Sequence, residues 1–203
     1  MELEFICEDL SQIIGSMKVG TDRIQEIISS MRNFSHTDAG HRQAADINQG
    51  LDSTLLLLRH RLQATAGRPE IVLIKEYGNL PLVECYPGQL NQVFMNILAN
   101  AIDALSDSAS QGMLTEQLRI KIVTEVGDRD LVIIRIQDNG IGMTETVRSQ
   151  LFDSFFTTKP VGKGTGLGLS ISHQIVVDKH GGTLTCTSEL GKGTEFAIAI
   201  PLK

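Results

Sequence analysis

The apolar positions of the chain follow two different periods. Between residues 6 and 34 they fall at Ile6, Leu10, Ile13, Met17, Ile24, Ile27, Met31 and Phe34, in steps of 4, 3, 4, 7, 3, 4 and 3. This is the a/d seam of a heptad, with Gly20 where one seam residue is missing. Ile14 and Ile28 widen the stripe toward the breadth that bundle packing requires. A helix of this length measures roughly 45–50 Å. That outreaches a small domain, so the pattern predicts a partner-facing bundle helix, weakened locally by Gly15 and Gly20.

Beyond residue 35 the period changes. Residues 37–45 are polar, with Gly40 and His41, and read as a linker. Leu51, Leu55, Leu58 and Leu62 share one face of a predicted helix over 48–62, and Val93, Ile97 and Ile102 mark another over 89–105. Residues 106–117 are polar and predict a loop. Strands are predicted at 71–77 and 82–85, parted by the turn signal Gly78-Asn79-Leu80-Pro81. Alternation marks two more, through Ile120, Ile122 and Val126 and through Val132, Ile134 and Ile136. A helix near 167–179 precedes two final strands, 183–188 and 195–201, the last with Phe196, Ile198 and Ile200 on one face. The sum is an α+β fold: a two-layer α/β sandwich, one sheet of about five strands with helices on one face, preceded by the long amphipathic helix. The expected division is 1–36 for the bundle helix, 37–45 for the linker and 46–203 for the globular domain. The strands are not spaced as regular βαβ units, which argues against a doubly wound fold.

Composition narrows the function. Lys and Arg number 18 against 24 Asp and Glu, a formal net charge of −6. With no Trp and only 4% aromatics, neither a nucleic-acid partner nor an anionic membrane surface is expected. Cys7, Cys85 and Cys186 are odd in number and far apart, which argues against a disulfide framework or a zinc site and for a reducing, cytoplasmic compartment. The apolar runs are too short to span a bilayer, and the acidic start Met1-Glu2-Leu3-Glu4 is unlike a signal peptide.

The chemistry lies in glycine- and asparagine-bearing motifs. There is no P-loop, no Rossmann fingerprint, no protein-kinase H-R-D or D-F-G, and no nucleophile elbow. Asn96, Asn100 and Asp103 align on one face of a helix whose other face is apolar. Asp138-Asn139-Gly140-Ile141-Gly142-Met143 closes a strand, and Phe152-Asp153-Ser154-Phe155-Phe156-Thr157-Thr158-Lys159 follows. Gly164-Thr165-Gly166-Leu167-Gly168-Leu169 runs into a helix start, which suits an anion. Gly191-Lys192-Gly193-Thr194-Glu195-Phe196 turns into the last strand. Taken singly, each has a plain structural reading. Asp138 is then a turn acid, Asn96 a cap for a neighbouring loop, the glycines tight turns, and the phenylalanines core.

In order and wording, from about residue 46 to 203, these motifs resemble the N, G1, F, G2 and G3 boxes of sensor histidine kinases. Those belong to the wider ATPase superfamily that includes gyrase, heat-shock chaperones and mismatch-repair ATPases. Residues 17–35 and 77–105 also look like a cyanobacterial hybrid-kinase type. The resemblance implies a Bergerat-type ATP-binding fold with ATP and Mg²⁺ as ligands. It makes Asn96 and Asn100 the catalytic pair and Asn100 the metal ligand, with Asp103 alongside in the nucleotide site. Asp138 would accept a hydrogen bond from the adenine amino group, Gly140 and Gly142 would let backbone approach the base, and Thr194 would complete the contact. Gly164, Thr165, Gly166, Leu167 and Gly168 would cradle phosphates. Lys159 and Lys163 would add charge from a mobile lid pinned by Phe152, Phe155 and Phe156. Segment 1–36 would be the second helix of a dimerisation bundle, making the parent a homodimer that serves a response-regulator receiver domain, with no membrane contact by this segment.

None of the five histidines fits a phosphoacceptor. His36 and His41 fall in or beside the linker, His60 ends a globular helix, and His173 and His180 belong to framework. The acceptor is therefore expected on a helix preceding residue 1. Three function classes are weighed: protein-histidine kinase, ATP hydrolase, and non-catalytic nucleotide-binding dimerisation module. The hydrolases carry a glutamate base four residues before the metal asparagine. Here that position is Asn96, an amide that cannot accept water's proton, which favours transfer over hydrolysis.

Overall fold

The computed structural model describes residues 41–112, 116–159 and 165–203. The heptad segment 1–36, residues 37–40 of the expected linker, Lys163 and Gly164 lie outside the described residues. The elements in chain order are β1 (Gln43–Ala45), α1 (Ile47–Leu62), β2 (Val72–Tyr77), β3 (Val83–Cys85), α2 (Pro87–Ser110), β4 (Arg119–Gly127), β5 (Leu131–Asp138), α3 (Glu145–Gln150), α4 (Gly168–Gln174), β6 (Thr183–Glu189) and β7 (Gly193–Pro201). A π-helical turn, Ile175–Lys179, prolongs α4.

Five strands form one mixed sheet in the order β2-β4-β5-β7-β6. β2 runs parallel to β4, and the other neighbours are antiparallel. Alternation sets the layers. Ile120 and Ile122 of β4, Val132, Ile134 and Ile136 of β5, and Phe196, Ile198 and Ile200 of β7 all point to one buried face. Against it lie Leu51, Leu55, Leu58 and Leu62 of α1 and Phe94, Ile97, Leu98, Ile102 and Leu105 of α2. Full burial of each such side chain contributes about 1.5–3 kcal/mol. The opposite face carries the half-exposed pair Arg135 and Glu125. The expected two-layer sandwich is the observed one.

The structure adds three local details. The predicted strands 71–77 and 82–85 fall in different sheets: Gly78 N–H bonds to Thr124 O at 2.8 Å, and the chain then leaves the main sheet. β3 pairs instead with β1, which takes up the last three residues of the expected 37–45 linker. Part of the polar stretch 106–117 is helix, because α2 continues to Ser110. Ser106 and Ser108 turn their hydroxyls back to Ile102 O and Ala104 O, at 2.8 and 3.0 Å, so their polarity is satisfied within the helix. α3 was not foreseen; it buries no side chain and so has no apolar stripe to read.

His180 is framework, as expected. It is buried, its Nε2 accepts the Tyr86 N–H at 3.0 Å, and its Nδ1–H donates to Ile175 O at 2.8 Å. That pair of bonds joins the start of α2 to the end of the π turn.

Candidate nucleotide site

The described parts of the five motifs converge on one end of the sandwich. Asn96, Asn100 and Asp103 line the half-buried face of α2, on the side away from Ile97, Leu98, Ala101 and Ile102. Asn96 Nδ2 donates to Gly168 O at 2.9 Å and to Ser172 Oγ at 3.1 Å. Its donor hydrogens thus fasten α2 to the first turn of α4. One turn on, Asn100 Oδ1 accepts from Lys159 Nζ at 3.1 Å, and Asp103 Oδ2 pairs with the same ammonium at 2.6 Å. The other oxygen of Asp103 pairs with Arg61 at the end of α1.

Asp138 ends β5 between Ile120 of β4 and Thr194 of β7. It is only 4% exposed, and its carboxylate accepts the Gly140 N–H at 2.8 Å. Burial pushes its carboxyl up to about 6, while backbone hydrogen bonds at Gly140 and Thr194 oppose the rise. Thr194 Oγ1 lies 2.9 Å from Ser188 Oγ, which also accepts the Met143 N–H at 2.9 Å. Burial likewise pushes the nearby Cys186 thiol up to about 12, so it stays protonated at neutral pH.

The glycines here meet demands from the protein's own backbone. A Cβ on Gly142, at φ +67°, would lie 2.1 Å from Glu189 O. One on Gly193, at φ +99°, would lie 2.0 Å from Asp138 O. Both would be blocked by backbone and strained in φ. Gly140 packs against Ala104 of α2. These contacts hold the β5 end, the 139–143 turn and the β6–β7 turn in fixed relation around Asp138.

The phosphate-side segment is described in part. Thr165 is exposed, with its Oγ1 3.4 Å from Leu167 N. Gly166, at φ +66°, accepts the Phe155 N–H at 2.9 Å, and Leu167 caps α4. Phe152 packs on His173 with ring centroids 5.0 Å apart. Phe156 is half-buried, whereas Phe155 is 74% exposed. Two partners escaped the sequence reading. Arg61 lies 42 residues from Asp103 with no motif around it, and Ser188 sits in an ordinary alternating strand.

Among the described residues no group of three His, Cys, Asp or Glu side chains could hold a metal. The donor set at α2 does fit a hard cation. An amide oxygen and a carboxylate one turn apart converge on a point where the Lys159 ammonium stands in for a positive ion. Nucleotide phosphates would have to complete such a coordination shell.

Comparison with known proteins agrees with this arrangement. The sequence profile of the histidine kinase-, DNA gyrase B- and HSP90-like ATPases matches residues 85–203, and the chain belongs to that family. Its similarities lie with the sensor histidine kinases. Sporulation kinase E of Bacillus subtilis (strain 168) is 34% identical over 181 residues, which is 89% of this chain and 22% of that protein. Sensor kinase CckA of Brucella abortus (strain 2308) is 32% identical, over 93% of this chain and 20% of its own length. The solved catalytic domain of histidine kinase ThkA superposes with a TM-score of 0.62 at 28% identity, over 79% of this chain and 95% of the other. The chain therefore contains a catalytic ATP-binding domain of the sensor histidine kinase type, and it spans about a fifth of the two curated relatives named. No helix among the described residues is long and apolar enough to cross a membrane.

Proposed function

We propose that this chain binds Mg·ATP between α2 and the β5 end and transfers its γ-phosphoryl to a histidine imidazole of a two-component signalling protein. The observation that carries the reading is Asp138. A carboxylate is held almost fully buried at the end of a central strand, locked by backbone on both sides, in a domain of this family. Such a group is expensive to bury, and its backbone hydrogen bonds at Gly140 and Thr194 offset that cost only in part. Ionised at neutral pH, it would accept a hydrogen bond from the amino group of adenine. Guanine presents a carbonyl at that position and would be rejected. Gly140, Gly142 and Thr194 frame this contact.

Asn100 would hold Mg²⁺ with Asp103 beside it, and the ion would neutralise charge on the transferring phosphates. Residues 164–168 would lie along those phosphates. Asn96 would act by position: its amide is no base, and its donor hydrogens already serve Gly168 and Ser172. This supports transfer to a supplied nucleophile over attack by water. The acceptor histidine would lie outside this chain. Dimerisation through segment 1–36, a response-regulator receiver as the onward partner and a cytoplasmic location belong to the same reading. Titration with ADP and GDP in excess Mg²⁺ tests it: ADP should bind at least about tenfold tighter, the effect of one well-placed buried hydrogen bond. Equal affinities would sink the assignment of Asp138.

A further inference from the structure

Lys159 is more than a nearby positive charge. Its Nζ stands 3.1 Å from Asn100 Oδ1 and 2.6 Å from Asp103 Oδ2, bridging the two groups that would face a metal ion. Asp103 is held from its other side by Arg61. A magnesium ion binds oxygen at about 2.0–2.1 Å. Seated on the Asn100 oxygen from the same side, it would fall within roughly 1–2 Å of the present ammonium position. Two cations cannot share that space, and an ammonium offers a metal no lone pair.

We propose that Lys159 is the counter-cation of Asn100 and Asp103, and that it and Mg²⁺ exclude each other there. This rests on the nucleotide-site reading above and goes one step beyond it. Arrival of the metal with nucleotide evicts the ammonium from the two oxygens. The geometry permits the exchange because Lys159 is 59 residues from Asn100 in sequence and lies between α3 and α4, not on α2. Its ammonium can leave without disturbing α2, where Arg61 still holds Asp103 in place. Because both cations compete for one pair of oxygens, the lysine sets how strongly metal and nucleotide binding depend on each other.

The test uses the whole chain and calorimetric titration with ADP, in excess Mg²⁺ and in excess EDTA. For each protein the ratio of the two dissociation constants measures what the metal adds to nucleotide affinity. In Lys159→Met the metal no longer displaces an ammonium, so the ratio should rise by about fivefold, the scale of one partly exposed ion pair with a charged hydrogen bond. Lys159→Arg keeps a cation there, and its ratio should stay within about twofold of wild type. Mn²⁺ binding to the nucleotide-free protein, followed by electron paramagnetic resonance, should tighten in Lys159→Met. An unchanged ratio in Lys159→Met, with ADP weakened equally in both conditions, would overturn the exchange and leave Lys159 a simple phosphate contact, the nucleotide site intact. Failure of every variant, wild type included, to bind ADP would remove the site and the exchange together.

Discussion

Asp138 is 4% exposed, and burial raises its carboxyl from the usual carboxylate range to about 6. The free protein must therefore hold an ionised group where a neutral one would be more stable. The sign follows from proton binding. Between about pH 4 and pH 6 the native state holds a proton that the unfolded state has released. Stability then falls as pH rises through that window and is flat above it with respect to this group. A rise of that size corresponds to about 3 kcal/mol. The isosteric change Asp138→Asn removes the charge, keeps an acceptor for the Gly140 N–H and adds an amide that needs its own partner. That last need offsets part of the gain, so a net stabilisation of about 1–2 kcal/mol is expected at pH 8. In a domain of this size it raises Tm by about 2–8 °C. At pH 4, where Asp138 is protonated, that gain is gone and the variant should melt a few degrees below wild type, by the cost of its amide. The same change should weaken ADP at least tenfold and erase its preference over GDP, since the amide now presents a donor to the adenine amino group or loses the charge that drew it. Circular-dichroism melts at pH 4, 6 and 8, paired with titrations at pH 8, check both halves. A Tm difference that does not change with pH, or a less stable variant at pH 8, would refute the burial argument. A more stable variant that still prefers ADP would refute the role of Asp138 while leaving its energetics correct.

Asn100→Ala should reduce Mg²⁺-dependent ADP affinity by about tenfold or more, whereas Asn79→Ala on the exposed turn after β2 should change it less than twofold, as read by calorimetry. Asn96→Asp replaces a donor with an oxygen facing Gly168 O and Ser172 Oγ; the protein should lose about 1–3 kcal/mol in urea unfolding, and recovery of that loss below about pH 4 would identify the carboxylate as the cause. Gly193→Ala drives a Cβ to 2.0 Å from Asp138 O at φ +99° and should cost about 2–4 kcal/mol with ADP binding lost in parallel; an unaltered urea midpoint would show that the β6–β7 turn relaxes freely.

Period and motif order were enough to anticipate much of this protein. The alternation through Ile120–Ile122 and Ile134–Ile136, and the leucine stripe of α1, declare their buried faces because each element has one apolar side. The five motifs, read together, pointed to a common site before any contact was known, and their described parts do meet at one end of the sandwich. Local pattern was silent wherever partners are distant or burial is absent. Nothing near Gly78 shows that β2 and β3 part company, since that follows from a bond to Thr124 46 residues away. The serines of 106–110 look like loop because their polarity is satisfied inside the helix, which only the folded turn reveals. Asp138 is a common turn acid in sequence; it becomes a buried, perturbed carboxylate only when β4 and β7 close on either side of it. Gly142 and Gly193 are likewise ordinary turn residues until Glu189 and Asp138 bring their carbonyls against them. Lys159 reached Asn100 and Asp103, and Arg61 reached Asp103, through tertiary packing alone. Side-chain periodicity reports which face of an element is dry, whereas an ion pair between elements depends on where the whole chain has carried them.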